Sequence, residues 1–182
     1  MAVLNEILDE IDSVVKNVKE EELDGIVDYI DKSRKIFVYG EGRSGLVGKC
    51  FAMRLMHIGY MVYVVGETTT PSINENDILF AISGSGETSL VLNVVKKSRE
   101  NGTSIIGVTS KKDSSLAKGS LKTLIVPGTV KSDSSSHSKS IQLLSSLFDQ
   151  SVHIVLDCLC LKLSYKDKLD NKTAIKNHSN LE

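Results

Sequence analysis

The hydrophobic rhythm of the chain changes once, near residue 34. Before that point apolar residues recur every three or four positions: Val3, Leu4, Ile7, Leu8, Ile11, Val14, Val15 and Val18. This spacing predicts an amphipathic helix over 3–18, and a second follows over 20–33. Beyond it come five short runs rich in β-branched residues: "KIFVYG" (35–40), "YMVYVVG" (60–66), "DILFAIS" (77–83), "TSIIGVT" (103–109) and "KTLIVPG" (122–128). Each closes on Gly, Ser or Thr, and within each the apolar character is nearly unbroken. Strands buried on both faces read this way.

Helical patterns over 44–58, 87–100 and 114–119 lie between these strands. The β-α-β alternation predicts an α/β fold, a parallel sheet with helices on both faces. A polar stretch, "VKSDSSSHSKS" (130–140), reads as a flexible loop. A long helix over 141–164 and a short one over 167–178 complete the pattern. No repeat or linker interrupts residues 1–182, so one domain is expected: helices over 3–33, an α/β core over 34–128, the loop, and C-terminal helices over 141–178.

Composition narrows the class. The formal net charge is −1, which gives no electrostatic footprint for nucleic acid or an anionic membrane. The first fifteen residues are acidic, without a basic n-region or cleavage site, so no signal peptide is expected. The apolar run over 141–163 carries Asp149, His153 and Asp157. A charge at bilayer depth costs about 2.5–3.5 kcal/mol, so this run is expected to be a buried helix and not a membrane span. The three cysteines form no CxxC pair and read as buried thiols of a reducing cytoplasm.

Candidate chemistry concentrates at "SGSGET" (83–88), between a strand and a helix. Ligands in open parallel sheets bind beyond the carboxyl ends of the strands. A helix N-terminus offers unpaired N–H groups and a partial positive charge. Gly84 and Gly86 allow close approach of a phosphate, and Ser83, Ser85 and Thr88 carry hydroxyl donors. A dianion is then held without lysine. The bland alternative is a serine cap after a glycine turn. "GEGRSG" (40–45) competes, because it fits G-x-G-x-x-G after a strand, with Glu67 about twenty residues on. Against a dinucleotide stand the second cradle at 83–88 and the lack of room for a substrate domain.

Several stretches resemble the 6-phospho-3-hexuloisomerases of the SIS (sugar isomerase) family of phosphosugar-binding domains. They are "GRSG" (42–45), "FAMRLMHIGY" (51–60), "VGETTTP" (65–71), "ISGSGET" (82–88), "SLFDQ" (146–150) and "HSNLE" (178–182). The resemblance implies a three-layer α/β/α sandwich with a five-stranded parallel sheet and flavodoxin-like winding. It implies a cytoplasmic homo-oligomer, commonly a tetramer, that needs neither cofactor nor metal. The implied reaction interconverts D-arabino-3-hexulose 6-phosphate and fructose 6-phosphate in the ribulose monophosphate route of formaldehyde fixation, with 3-hexulose-6-phosphate synthase as pathway partner. It assigns substrate binding to Ser44 and to Gly84, Ser85, Gly86, Glu87, Thr88 and Ser89, beside Ser83. It assigns proton transfer to the acid of the family's "LFEQ" motif, which here reads Leu147-Phe148-Asp149-Gln150. Aspartate is one methylene shorter than glutamate. The family's "QPMG" before it is Gln142-Leu143-Leu144-Ser145 here, so a proline and a glycine are replaced.

Moving a carbonyl from C3 to C2 requires a proton taken from C2 and returned to C3 through a 2,3-enediolate, and one carboxylate facing both carbons serves both steps. Burial in an apolar helix would raise the pKa of Asp149. The pattern alone also allows Asp149, His153 and Asp157, at i, i+4 and i+8, to be a polar stripe facing solvent. Glu67 either assists at the substrate hydroxyls or bonds the backbone of its own strand end. His178 matches the family's C-terminal histidine and either helps to open the sugar ring, in its own or a neighbour's site, or belongs to a free tail. Arg43 either steers phosphate or pairs with Glu41, and His57 reads as a packed core histidine. Two other functions fit the same fold: a non-catalytic phosphosugar sensor, and an isomerase for another phosphosugar. No basic helix-turn-helix precedes residue 35, which disfavours the sensor.

Overall fold

The computed structural model describes residues 2–131, 133 and 140–181. Five strands, β1 (Ile36–Gly40), β2 (Val62–Val64), β3 (Ile78–Ile82), β4 (Ser104–Thr109) and β5 (Lys122–Ile125), form one sheet in the order β2-β1-β3-β4-β5. Every neighbouring pair is parallel. The helices are α1 (Val3–Val15), α2 (Glu20–Tyr29), α3 (Gly42–His57), α4 (Ser89–Glu100), α5 (Ser115–Gly119), α6 (Ser146–Lys166) and α7 (Asn171–Asn177).

The unbroken apolar runs resolve into two alternating sets because successive strand side chains point to opposite faces. Ile36, Val38, Ile78, Phe80, Ile82, Ile106 and Val108 join one core, with Ile11 and Val14 of α1, Ile26 of α2, Leu55 of α3 and much of α6. Phe37, Leu79, Ala81 and Ile105 meet Val91 and Val95 of α4 and Leu116 of α5 on the other face. β3 is buried along its whole length. Each such large side chain contributes about 1.5–3 kcal/mol relative to exposure, so the central strand anchors both layers. The expected α/β architecture is therefore observed.

Some boundaries differ from the sequence pattern. The long C-terminal helix begins at Ser146, not at 141. Leu144 has φ 57°, which no right-handed helix admits, and Ser146 N–H bonds Leu143 O in a turn. Glu10 of α1 fixes the segment before that turn, accepting from Ile141 N–H at 2.8 Å and Ser140 Oγ at 2.7 Å. β2 is shorter than the run over 60–66, because it lies at the sheet edge and pairs with β1 alone. The polar loop expected over 130–140 lies in large part, residues 132 and 134–139, outside the described residues. Among those described, no helix is long and apolar enough to cross a membrane. The apolar positions of 141–163 instead supply core residues such as Phe148, Val152, Val155 and Leu159.

The winding places the functional end. From β1 the chain passes through α3 to β2 on one side, while β3 pairs with β1 on the other. The crevice at such a reversal, beyond the carboxyl ends of β1 and β3, is where open α/β sheets hold ligands. The loops that follow those two strands carry Arg43–Ser44 and Ser83–Ser89.

Candidate active site

The loop after β3 is held from three directions. Gly84 O accepts from Ser110 N–H at 3.0 Å, Ser110 Oγ at 2.8 Å and Thr109 Oγ1 at 3.1 Å, all at the end of β4. Gly86 O accepts from Leu116 N–H of α5 at 3.0 Å. Within the loop, buried Ser83 Oγ accepts from Gly86 N–H at 3.2 Å and pairs with Thr88 Oγ1 at 2.9 Å. Gly86 has φ 68°, and a Cβ there would lie 2.2 Å from Ser114 Oγ, so both the conformation and the packing require glycine.

Thr88 stands at the N-cap of α4, yet its hydroxyl is turned to Ser83 and does not cap the helix. The first-turn N–H groups, from Ser89 onward, therefore have no capping side chain. Ser85 Oγ accepts from Glu87 N–H at 3.2 Å, which leaves its own proton to donate. The Glu87 carboxylate turns to α5 and accepts Ser115 N–H at 2.7 Å. That bond to the start of α5 holds its pKa below the usual carboxylate range. The negative side chain thus points at α5, and backbone groups and small hydroxyls line the cradle.

The first turn of α6 brings the acid to this crevice. Asp149 is only 3% exposed. Its Oδ1 accepts from Ser44 Oγ at 2.7 Å and its Oδ2 lies 3.8 Å from Arg43 Nε. Arg43 also donates to Ser146 Oγ at 2.9 Å, so it pairs with the start of α6 and not with Glu41. Glu41 instead accepts from Tyr39 Oη. Burial pushes the Asp149 carboxyl above its ordinary pKa, opposed by the Ser44 hydrogen bond and the Arg43 charge. A cavity of about 300 Å³ opens beside it, lined by Arg43, Val47, Gln150 and Ile11.

Glu67 and His178 lie elsewhere in the subunit. Glu67 is exposed and pairs with Lys49 Nζ at 3.3 Å, in a separate cavity between α3 and β2. His178 follows α7 and stacks on His57, with ring centroids 5.0 Å apart. His57 is buried, as a packed histidine should be, and it ends α3 thirteen residues beyond Ser44. At 1.5 Å per residue this puts it roughly 20 Å away along the axis. The polar stripe also divides: Asp149 is buried, whereas Asp157 is exposed and faces Arg54 Nε at 3.5 Å. Of the cysteines only Cys160 is fully buried; Cys158 is half-buried and Cys50 exposed, contrary to the expectation of three buried thiols.

Sequence reasoning missed two parts of the site. Thr109 and Ser110 lock the cradle through Gly84 O, and their position at the end of the neighbouring strand is the signal that could have found them. The chain of amides from Gln150 through Gln142 (2.7 Å) to Glu10 (2.9 Å) links the motif to α1. It spans 140 positions and leaves no local pattern.

Residues 29–154 match the SIS domain family. The chain belongs to that family. It is 38% identical to a Bacillus subtilis 3-hexulose-6-phosphate isomerase, over 97% of this chain and 96% of that protein. A Methanocaldococcus jannaschii protein of the same name is also 38% identical, over 96% and 98% of the two chains. A solved structure of a Methanococcus jannaschii protein, for which 3-hexulose-6-phosphate isomerase activity was inferred, superposes with a TM-score of 0.84 at 34% identity and covers both chains completely. This SIS domain thus shares its whole length, and not merely its sheet, with these relatives.

Proposed function

We propose that the protein is a 3-hexulose-6-phosphate isomerase, in which the loop after β3 holds the phosphate and Asp149 moves the proton. The observation that carries this reading is a buried carboxylate with a raised pKa, bonded to Ser44, at the same sheet reversal as a helix N-terminus without a capping side chain. The phosphate dianion accepts from the first-turn N–H groups of α4 and from the hydroxyls of Ser85 and Thr88. Each charge-assisted bond contributes about 1.5–3 kcal/mol. Asp149 takes the C2 proton of the 3-ketose. Electrons pass into a 2,3-enediolate, the hydroxyl proton moves from O2 to O3, and the same carboxyl returns a proton to C3, leaving the carbonyl at C2. Ser44 and Arg43 hold the carboxylate in place and help to neutralise the enediolate.

The substrate of such an enzyme comes from an aldol-type condensation of formaldehyde with a pentulose phosphate, so this reading includes a hexulose-phosphate synthase as pathway partner and a cytoplasmic location. Exposed apolar residues along α1, α3 and α6, among them Leu8, Leu46, Met53 and Leu161, favour a homo-oligomer, with a tetramer as the expected form. In that assembly His178 serves a neighbour's site, since its own Asp149 lies near the far end of α3.

Incubation with fructose 6-phosphate in D₂O, followed by NMR, tests the reaction. The reverse direction removes the C3 proton, so deuterium should enter at C3. Label at C1 would point to an aldose–ketose isomerase, and binding without label to a sensor.

A further inference from the structure

The side chain of Phe148, the residue before Asp149, is completely buried, and two glycines make room for it. A Cβ on Gly84 would lie 3.0 Å from Phe148 Cδ1 and 2.6 Å from Val130 Cγ1. A Cβ on Gly128 would lie 2.6 Å from Phe148 Cα and 2.8 Å from its backbone nitrogen. Gly128 thus lets the backbone of α6 close onto the segment after β5, and Gly84 sets the ring against the backbone of the phosphate loop. Gly84 is itself held at its carbonyl by Thr109 and Ser110. A continuous packed path therefore runs from the end of β4 through Gly84 and the Phe148 ring to the first turn of α6.

We propose that Phe148 is a positioning residue for the isomerisation, its ring wedged between Gly84 and Gly128 so that the first turn of α6, and with it the Asp149 carboxylate, stays at a fixed distance from the phosphate loop. The inference rests on Asp149 being the base. A sugar bound by its C6 phosphate presents C2 and C3 at a set reach from that loop, so the acid must stand at the matching distance. Ser44 and Arg43 of α3 also reach this first turn, at Asp149 and Ser146, but they hold polar side-chain atoms. The Phe148 ring instead packs the first turn against the loop after β3.

Phe148→Leu tests the proposal, with Phe148→Met beside it because methionine refills much of the ring's volume. Melting curves establish folding, calorimetry with fructose 6-phosphate measures binding, and a coupled assay measures turnover. A misplacement of about 1 Å costs on the order of 10²-fold in rate, so kcat of Phe148→Leu should fall by that factor. Binding should stay within about threefold of the parent, because the loop is intact, and Phe148→Met should recover part of kcat. A kcat within about threefold of the parent overturns the proposal, as does a parallel loss of binding and turnover, which marks a merely structural residue. If the leucine variant does not fold, the methionine variant is judged by the same two limits. Asp149→Asn separates the premise from the inference: full turnover there removes the base itself, whereas an inactive Asp149→Asn with an active Phe148→Leu removes only the positioning role.

Discussion

Ser44 Oγ donates to Asp149 Oδ1 at 2.7 Å, although the two residues stand 105 positions apart in the chain. The bond joins the start of α3 to the start of α6 across the sheet reversal. It makes Ser44 a tuner of the acid.

The pH profile should report that bond. A base works deprotonated, so kcat/KM falls as pH drops through the pKa of Asp149, which burial holds above the ordinary aspartate value. Ser44 donates to the charged form and favours it. Ser44→Ala therefore raises the pKa further and moves the acid limb of kcat/KM to higher pH. The loss should be larger at pH 5 than at pH 8. An acid limb that stays in place would detach Ser44 from the base.

Stability should move opposite to activity. With its folded pKa raised, Asp149 binds more protons in the native than in the unfolded state, and the margin of stability falls as pH rises through that window. Asp149→Asn removes the cost of a buried charge. It should melt at or above the parent's temperature at pH 8, with the difference shrinking toward pH 4, as scanning calorimetry can show.

The shorter acid can be tested directly. Asp149 lines a cavity of about 300 Å³, which has room for one more methylene. Asp149→Glu should keep turnover within about tenfold of the parent, as a retained base requires. A loss of about 10²-fold or more would mean that the surrounding residues, Ser44 and Arg43 among them, are set for aspartate.

Subunit mixing addresses His178. If it acts in a neighbour's site, His178→Asn and Asp149→Asn homo-oligomers are both impaired, and exchange of their subunits creates some intact sites. Activity should then rise on mixing. A verified hybrid without added activity would confine His178 to its stack on His57.

Much of this was legible in the sequence, for local reasons. β3 and β4 showed themselves because strands buried on both faces leave unbroken apolar runs, and the cradle because the loop after β3 gathers Ser83–Thr88 in one stretch. Burial of Asp149 was only half legible: its helix pattern fits a buried acid and a polar stripe equally, and the bonds that decide come from Ser44 and Arg43 on another helix. The turn at Leu144 was hidden for the same reason. Its leucines read as helix, and the restraint comes from Glu10 on α1. Spacing also offered no means to separate Glu67 from Asp149, since that depends on where β2 lies at the sheet edge.

The most direct test of the account measures turnover and fructose 6-phosphate binding on one preparation of Asp149→Asn. Removal of a general acid–base residue typically costs about 10²–10⁴-fold, so turnover should fall by that order while the phosphosugar binds as it does to the parent. Turnover at the parent's rate would contradict the central claim, because the proton would then move without the buried Asp149 carboxylate at the sheet reversal.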